Sequence, residues 1–442
     1  MPSLCIVRAG GESLDSALHP RQTTARMRTP VVAAIDMGYG HLRPAAALAG
    51  YLGTEVLQMD RPPLGVEKDQ RFWNRNRALY EPLTRFSQLP GVGAPMRAVL
   101  NTITAIPQPW PAQDLSGATQ GTRWMQRAAR DGIGQALAEH LRATQAPLMA
   151  TFYAAAILAE LHGASRLHCL LTDSDVNRVW APPEPRTSAI RYFAPSERAR
   201  RRMLTYGVPE SRIRVTGYPL PHELVGGRER TALRQNLAAR LSRLRVSGRL
   251  RELAEAELGP LPAAKAPPLI VFAVGGAGAQ VPLAKKLIPS LRRPIESGVL
   301  RFALVAGRRP EVAMALREAL DAQGIEGQVE VLEDPDVFGY IRRFNALLAG
   351  ADALWSKPSE MTFFAGLGLP FIAAPPVGVH ERWNLRWATD RGAALPQHDP
   401  AAAGEWLQEW IEDGVLAGAA WAGFTRLPQL GLYQIAEELG QQ

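Results

Sequence analysis

Residues 356–376, SKPSEMTFFAGLGLPFIAAPP, open with a lysine and a proline and then run apolar between glycines. Pro358 suits the first turn of a helix, where its missing N–H costs nothing, and Gly368 suits the end of that helix. ADALW at 351–355 reads as a strand just before it. The spacing therefore predicts a strand, a tight turn and a helix from about Ser359. Backbone N–H groups at such a start lack helical partners and carry partial positive charge, so an anion is stabilised there with little rearrangement. Lys357 would add a full charge. The chemistry open to this stretch is the holding of a phosphate group. Its plain structural alternative is a capped helix with a solvated lysine.

Such a turn has to be positioned by a sheet, and the rest of the chain supplies candidate strands. VVAAID (31–36) ends in the glycine turn MGYGH, the helical LRPAAALAGYL follows, and TEVLQMD (54–60) reads as a second strand. That strand–loop–helix–strand opening marks a parallel sheet with helices on its faces. LHCLLTD (167–173), AIRYFAP (189–195) and RIRVTGYP (212–219) extend it into a doubly wound domain over 30–221. Residues 222–267 hold a basic helical stretch that ends in an Ala/Pro-rich linker. A second series begins at 268 with LIVFAVGGAGAQ, RFALVAGR, VEVLED, ADALW and PFIAAP, a second doubly wound domain over 268–442 whose last helix is expected to pack back on the first. Residues 1–29 read as a loose tail. Two such domains facing one another would place ligands at the carboxyl ends of their strands.

Composition narrows the partners. The chain has 442 residues, 46% of them apolar, enough for two cores. Its two cysteines, Cys5 and Cys169, lie far apart and support neither a disulfide framework nor a thiolate metal site, which fits a reducing, cytoplasmic compartment. The apolar run at 269–279 is too short and too glycine-rich to span a bilayer. A formal charge of +8, carried mostly by arginine, suits anionic partners. No nucleic-acid motif accompanies the charge, so no nucleic-acid partner is expected. Aromatic residues mixed with arginine over 61–86, and the basic stretch near 228–251, would suit contact with an anionic membrane surface or an ordinary solvated helix.

Several segments resemble one family in the same order along the chain: MGYGHLRPAAALA (37–49), TDSDVNRVW (172–180), RYFAPSERARRRMLTYGVPESRIRVTGYPL (191–220), AVGGAGAQ (273–280) and the whole of 350–395. These are similar to the family 28 glycosyltransferases, near the diacylglycerol glycosyltransferases and the N-acetylglucosaminyltransferase that forms lipid II. The resemblance implies the α/β GT-B fold, two facing Rossmann-like domains with an interdomain cleft, and a nucleotide-sugar donor, a UDP-sugar, held mainly by the second domain. It implies a lipid or small-molecule acceptor and no cofactor.

In an inverting transfer a base takes the acceptor proton, the oxygen attacks the anomeric carbon, and a nucleotide diphosphate leaves with growing negative charge. The resemblance gives His41, just beyond the Gly38-x-Gly40 turn of the acceptor-side loop, the role of base or acceptor-positioning group. Asp173 is the rival base or the group that orients it. Gly275, Gly276 and Gly278 would let backbone approach phosphates. Lys357 and the helix start at Ser359 and Glu360 would meet the leaving diphosphate, with Arg308 a further candidate. Glu381 and Asn384, three apart on one helical face, would reach donor hydroxyls. Asp173-Ser174-Asp175 spells the Asp-x-Asp that binds a divalent metal in another glycosyltransferase fold, but its Thr-Asp setting matches the GT-B relatives, so no metal is expected.

The sequence also departs from the family. Ser359-Glu360 stands where relatives have Gly-Gly, and Ala365 where they have a glutamate for the ribose. Asn177 replaces a histidine, and His380-Glu381 a Gln-Glu. Five helical residues turn roughly 500°, so Glu360 does not take over the role lost at Ala365. At a helix start a carboxylate repels a diphosphate. A second reading is therefore a GT-B protein that binds a nucleotide or a partner without transfer. A third, a nucleotide-sugar epimerase, would need further cleft carboxylates.

Overall fold

The computed structural model describes residues 29–86, 105–108, 110, 111, 113–275, 278 and 280–440. Gly276 and nearly all of the expected N-terminal tail lie outside the described residues. Strands covered by helices on both faces must be buried on both, which favours continuous apolar runs over alternation. Val31–Ala34 (β1), Leu148–Ala150 (β3), Leu167–Leu170 (β4), Ala353–Ser356 (β10) and Phe371–Ala373 (β11) are buried at every position. The polar member of β4, His168, is satisfied inside, its Nδ1 lying 3.0 Å from the Leu148 carbonyl.

With Val56–Gln58 (β2), Arg191–Ala194 (β5) and Ile213–Val215 (β6), the first domain forms a six-stranded sheet in the order β2-β1-β3-β4-β5-β6. Leu269–Ala273 (β7), Arg301–Gly307 (β8), Glu330–Glu333 (β9) and Ala394–Pro396 (β12) complete a second, β12-β11-β10-β7-β8-β9. Among the described residues every pairing is parallel. In each sheet the strand order reverses beside the domain's first strand, opening a crevice at the carboxyl ends. The first crevice receives the loop after β1, which leads to His41. The second receives the loops after β7 and β10, which carry Gly275 and Lys357. The α/β architecture read from the sequence, two facing doubly wound domains, is the observed one.

Two strands escaped the sequence reading. β3 and β12 are three residues long, and β3 runs almost directly into the apolar helix Tyr153–Leu161, so its pattern merges with that of the helix. Residues 222–267, read from the sequence as a basic helical stretch and a linker, carry helices over 231–258 and irregular chain after them. Helices Thr231–Arg243 and Gly248–Leu258 place Leu233, Leu237, Leu241 and Ala254 in the large buried cluster that includes the second domain's strands. Arg240, 1% exposed, donates to the carbonyls of Ala351, Leu367 and Gly368. The apolar face of this basic stretch and Arg240 are thus committed to packing, while Arg228, Arg245, Arg249 and Arg251 stay exposed. The final helix, Gly431–Gly440, reaches the first domain: Tyr433 lies edge-on to Tyr51, and a Cβ on Gly431 would stand 2.5 Å from the Tyr218 carbonyl oxygen. Among the described residues no helix is long and apolar enough to cross a membrane.

Candidate functional site

β1 ends at Ala34, and the chain turns through Asp36 and Gly38 before helix Tyr39–Leu52. Gly38 has φ +130°, a conformation that strains residues with a Cβ, so the glycine is required by the turn. The turn delivers His41 to the seam between the domains. Its Nδ1 lies 3.0 Å from the Thr151 carbonyl oxygen, at the end of β3. A carbonyl only accepts, so Nδ1 carries the hydrogen and Nε2 keeps its lone pair. Burial pushes the His41 pKa down to about 4, against the opposing pull of Asp173 and of the Thr151 carbonyl. His41 is neutral at physiological pH, with a carboxylate near enough to stabilise it once protonated. Phe152 and Trp180 flank its ring at 4.6 and 6.1 Å between centroids.

Asp173 follows β4 and meets the second domain directly. It accepts a hydrogen bond from the Asn384 side chain at 2.8 Å, and Asn384 in turn accepts one from Ser174 N at 2.8 Å. Asn384 belongs to helix Val379–Thr389. Glu381, one turn earlier, accepts from Lys357 Nζ at 2.6 Å and from Val377 N at 2.7 Å. Burial pushes the Glu381 carboxyl up, but Lys357, His380 and the Val377 N–H outweigh it and hold the pKa below the usual range. Glu381 and Asn384 share a face, as the spacing predicts, yet both are engaged by protein groups.

The start at Ser359 needs the larger correction. Residues Glu360–Leu367 form a 3-10 helix, and the Ser359 hydroxyl, buried and without a partner among the described residues, caps nothing. The start is not a bare electropositive end. Glu360 accepts from Arg43 Nε at 3.1 Å, and both side chains are almost wholly buried. Arg43, from the helix that carries His41, also donates to the Tyr340 hydroxyl at 2.7 Å and lies 4.4 Å above the Phe344 ring. The physical reason is the Ser-Glu sequence: the carboxylate brings its own counterion into a place that paired glycines would leave open. Gly40 lies against the same group, since a Cβ there would be 3.3 Å from Glu360 Oε2. Ala365 is 1% exposed, and its carbonyl packs so closely on Gly423 that a Cβ there would stand 2.1 Å away.

Arg308, after β8, also crosses the seam. Its Nη1 donates to Asp36 at 2.9 Å, and its backbone N–H donates to the Tyr39 hydroxyl at 3.1 Å. Gly275 lies against the Lys357 side chain, and Gly278 has φ +71° in the loop before helix Val281–Glu296. The structure therefore gathers His41, Asp173, Asn384, Glu381, Lys357, Glu360 and Arg308 along one interdomain seam. It adds Asp36, Tyr39, Arg43, Thr151 and Tyr340, which sequence reasoning missed. Arg43 could have been noticed as the charged residue nearest the glycine turn inside an otherwise apolar helix. The partnership with Glu360, 317 positions away, left no local signal.

No protein-family model matches the chain. Among curated proteins, a processive diacylglycerol β-glucosyltransferase of Bacillus cytotoxicus is 24% identical over 246 residues, 55% of this chain and 53% of that protein, so the match spans about half the length of the relative. Among solved structures, a UDP-GlcNAc 2-epimerase of Neisseria meningitidis bound to UDP-GlcNAc has a TM-score of 0.50 at 12% identity, covering 93% of this chain and 100% of that one. S. aureus MnaA, solved with UDP, has a TM-score of 0.51 at 11% identity, covering 93% and 96%. The chain has the GT-B fold. Within that fold, the match to a diacylglycerol glucosyltransferase agrees with the resemblance read from the motifs, and the seam corresponds to the interdomain cleft that the GT-B architecture implies.

Proposed function

We propose that this GT-B protein is a glycosyltransferase that moves a sugar from a UDP-sugar to a hydroxyl of a lipid or small-molecule acceptor. The observation that carries the reading is His41, a neutral imidazole with its tautomer fixed by Thr151, placed beside Asp173 and across the seam from the Lys357 turn. The acceptor O–H gives its proton to Nε2 as the oxygen bonds the anomeric carbon, and the bond from that carbon to the diphosphate oxygen breaks toward UDP. Asp173 stabilises the imidazolium. Lys357, Arg308 and backbone near Gly275 and Gly278 stand on the side where the leaving diphosphate gathers charge. The donor enters by parting the contacts of Asn384 and Arg308 with the first domain. Asp175 is bound by Arg198 and Arg202, so the Asp-x-Asp carboxylates are engaged separately, which favours transfer without a metal.

An acceptor in an anionic membrane, reached from the cytoplasmic face, is part of the proposal and is supported by the curated relative's diacylglycerol substrate. The second reading, a nucleotide- or partner-binding protein without transfer, is favoured by the Arg43–Glu360 pair and by Ala365. Calorimetric titration with UDP, followed by assay of UDP release from UDP-sugars with diacylglycerol, tests both. UDP should bind, and His41→Ala should lower transfer by about 10²–10⁴-fold with donor affinity unchanged. A fully active His41→Ala protein would remove the base from this mechanism. UDP binding without release or transfer would favour the second reading, and conversion of the sugar without transfer would favour an epimerase.

A further inference from the structure

Beyond the catalytic pair, the loop after β4 builds a second charged cluster. Asp175 is fully buried and is held by two arginines of helix Glu197–Thr205: Arg198 Nε at 2.7 Å, and Arg202 through Nε at 2.7 Å and Nη2 at 3.1 Å. Its Oδ1 also accepts from Val176 N at 2.9 Å. Arg202 Nη2 donates as well to the Pro107 carbonyl at 2.7 Å. This leaves Arg198 Nη2 and Arg202 Nη1 buried and without partners among the described residues. Arg202 also lies 5.8 Å from the Tyr206 ring centroid, a ring that Arg178 approaches at 5.9 Å. Arg178 donates to the Ala181 and Ser116 carbonyls, and its Nε is also buried and unpartnered.

Two cations thus share one carboxylate, and each keeps a buried N–H without an acceptor among the described residues. A buried donor left in this state is costly, and more so on a charged group, so such groups are ordinarily completed by water, an ion or a ligand. Planar guanidinium groups with spare donors suit the several oxygens of a phosphate. The cluster also has a way out. Arg198 lies 3.6 Å over the ring of Trp383, on the second domain's helix Val379–Thr389, and its side chain is 25% exposed. It therefore stands at the edge of the seam, and its partner Asp175 is two residues along the chain from Asp173.

We infer that Arg198 and Arg202, seated on Asp175, bind a phosphate group carried by the acceptor. This rests on the transferase reading and deepens it. The acceptor is anionic, and its phosphate anchors it on the first domain while its hydroxyl reaches His41. The phosphate belongs either to a soluble phosphate ester or to a phospholipid headgroup.

The test is titration with inorganic phosphate, with and without UDP, of the wild type, Arg198→Gln, Arg198→Lys and, as a control, Arg200→Gln, which alters an exposed arginine paired with Glu197 and Glu210. The wild type and Arg200→Gln should bind phosphate alike. Arg198→Gln should bind it roughly tenfold more weakly or worse, and Arg198→Lys should recover part of the loss, with UDP affinity unchanged in all. Glycerol 3-phosphate, and vesicles of phosphatidylglycerol against phosphatidylcholine, distinguish the two sources by which one shows the same dependence on Arg198. Wild-type protein that binds no phosphate, or Arg198→Gln that binds it as well as wild type, overturns the inference whether or not UDP binds. Phosphate binding that depends on Arg198 in a protein with no affinity for UDP supports the anion site and removes the donor reading instead.

Discussion

His41 shows how one residue's surroundings set its chemistry. Its pKa of about 4 lies below the ordinary 6.5, so the folded protein resists protonating it while the unfolded chain does not. Between those two values the unfolded state binds more protons, and the His41 contribution to stability falls as pH drops from 6.5 toward 4. Glu381, with its pKa held low, acts in the same direction further into acid, losing its contribution as pH falls through its folded value. We predict that His41→Gln flattens the acid side of the melting-temperature profile between those two His41 values and leaves the limb due to Glu381. An unchanged profile would mean that His41 titrates normally. The same residue argues for transfer activity that persists well below neutrality.

At the scale of elements, the 3-10 helix Glu360–Leu367 decides what the Lys357 turn can hold. It is buried throughout, wedged beneath helices Val379–Thr389 and Val415–Arg426, and Tyr218 of the first domain stacks on its Phe363 at 4.8 Å. Arg43 and Glu360 join it to helix Tyr39–Leu52. Removing one member of a buried pair strands the other, at about 3–5 kcal/mol, whereas replacing both with apolar groups is often neutral. Arg43→Met should therefore destabilise the protein by about 3–5 kcal/mol, and adding Glu360→Leu should restore much of the loss. Denaturant titration of the two single variants and the double measures the coupling, and strictly additive losses would show that the pair is not coupled. Glu360→Gly in the presence of UDP would report directly whether the carboxylate hinders a diphosphate.

Across the whole molecule, the two domains are joined by polar contacts from residues that also line the proposed donor site. Asn384 with Asp173, Arg308 with Asp36 and Arg43 with Glu360 all cross the seam. A donor entering there must exchange protein partners for its own oxygens, so entry and domain opening are coupled. The Arg308–Asp36 pair is partly exposed, and pairs of this kind contribute at most about 1 kcal/mol. Arg308→Gln should leave the melting temperature nearly unchanged while speeding UDP association a few-fold and speeding its dissociation more, since it loosens the seam but removes a cation from the diphosphate. Stopped-flow binding of a fluorescent UDP analogue would show this, and unaltered association and dissociation would place Arg308 outside the path.

Much of this protein was legible in its sequence because the signals were local. Short apolar runs such as VVAA and LIVFA, bounded by glycine turns, fit buried parallel strands, and those turns fix where the loops emerge, so two doubly wound domains and a cleft at their carboxyl ends followed. The positions of Asp173 and Lys357 just after strands, and of His41 beyond the glycine turn that follows β1, were legible too, because strand direction sets where these loops emerge. Short strands such as β3 were lost where three residues merged with the next helix. The partners of the site residues were decided only by tertiary structure. Whether Glu360 repels a phosphate or pairs with Arg43, whether Asn384 meets a donor or Asp173, and whether Arg198 is solvated or poised over Trp383 each depend on side chains hundreds of positions apart, and a pairing of that kind leaves no periodicity or spacing to read.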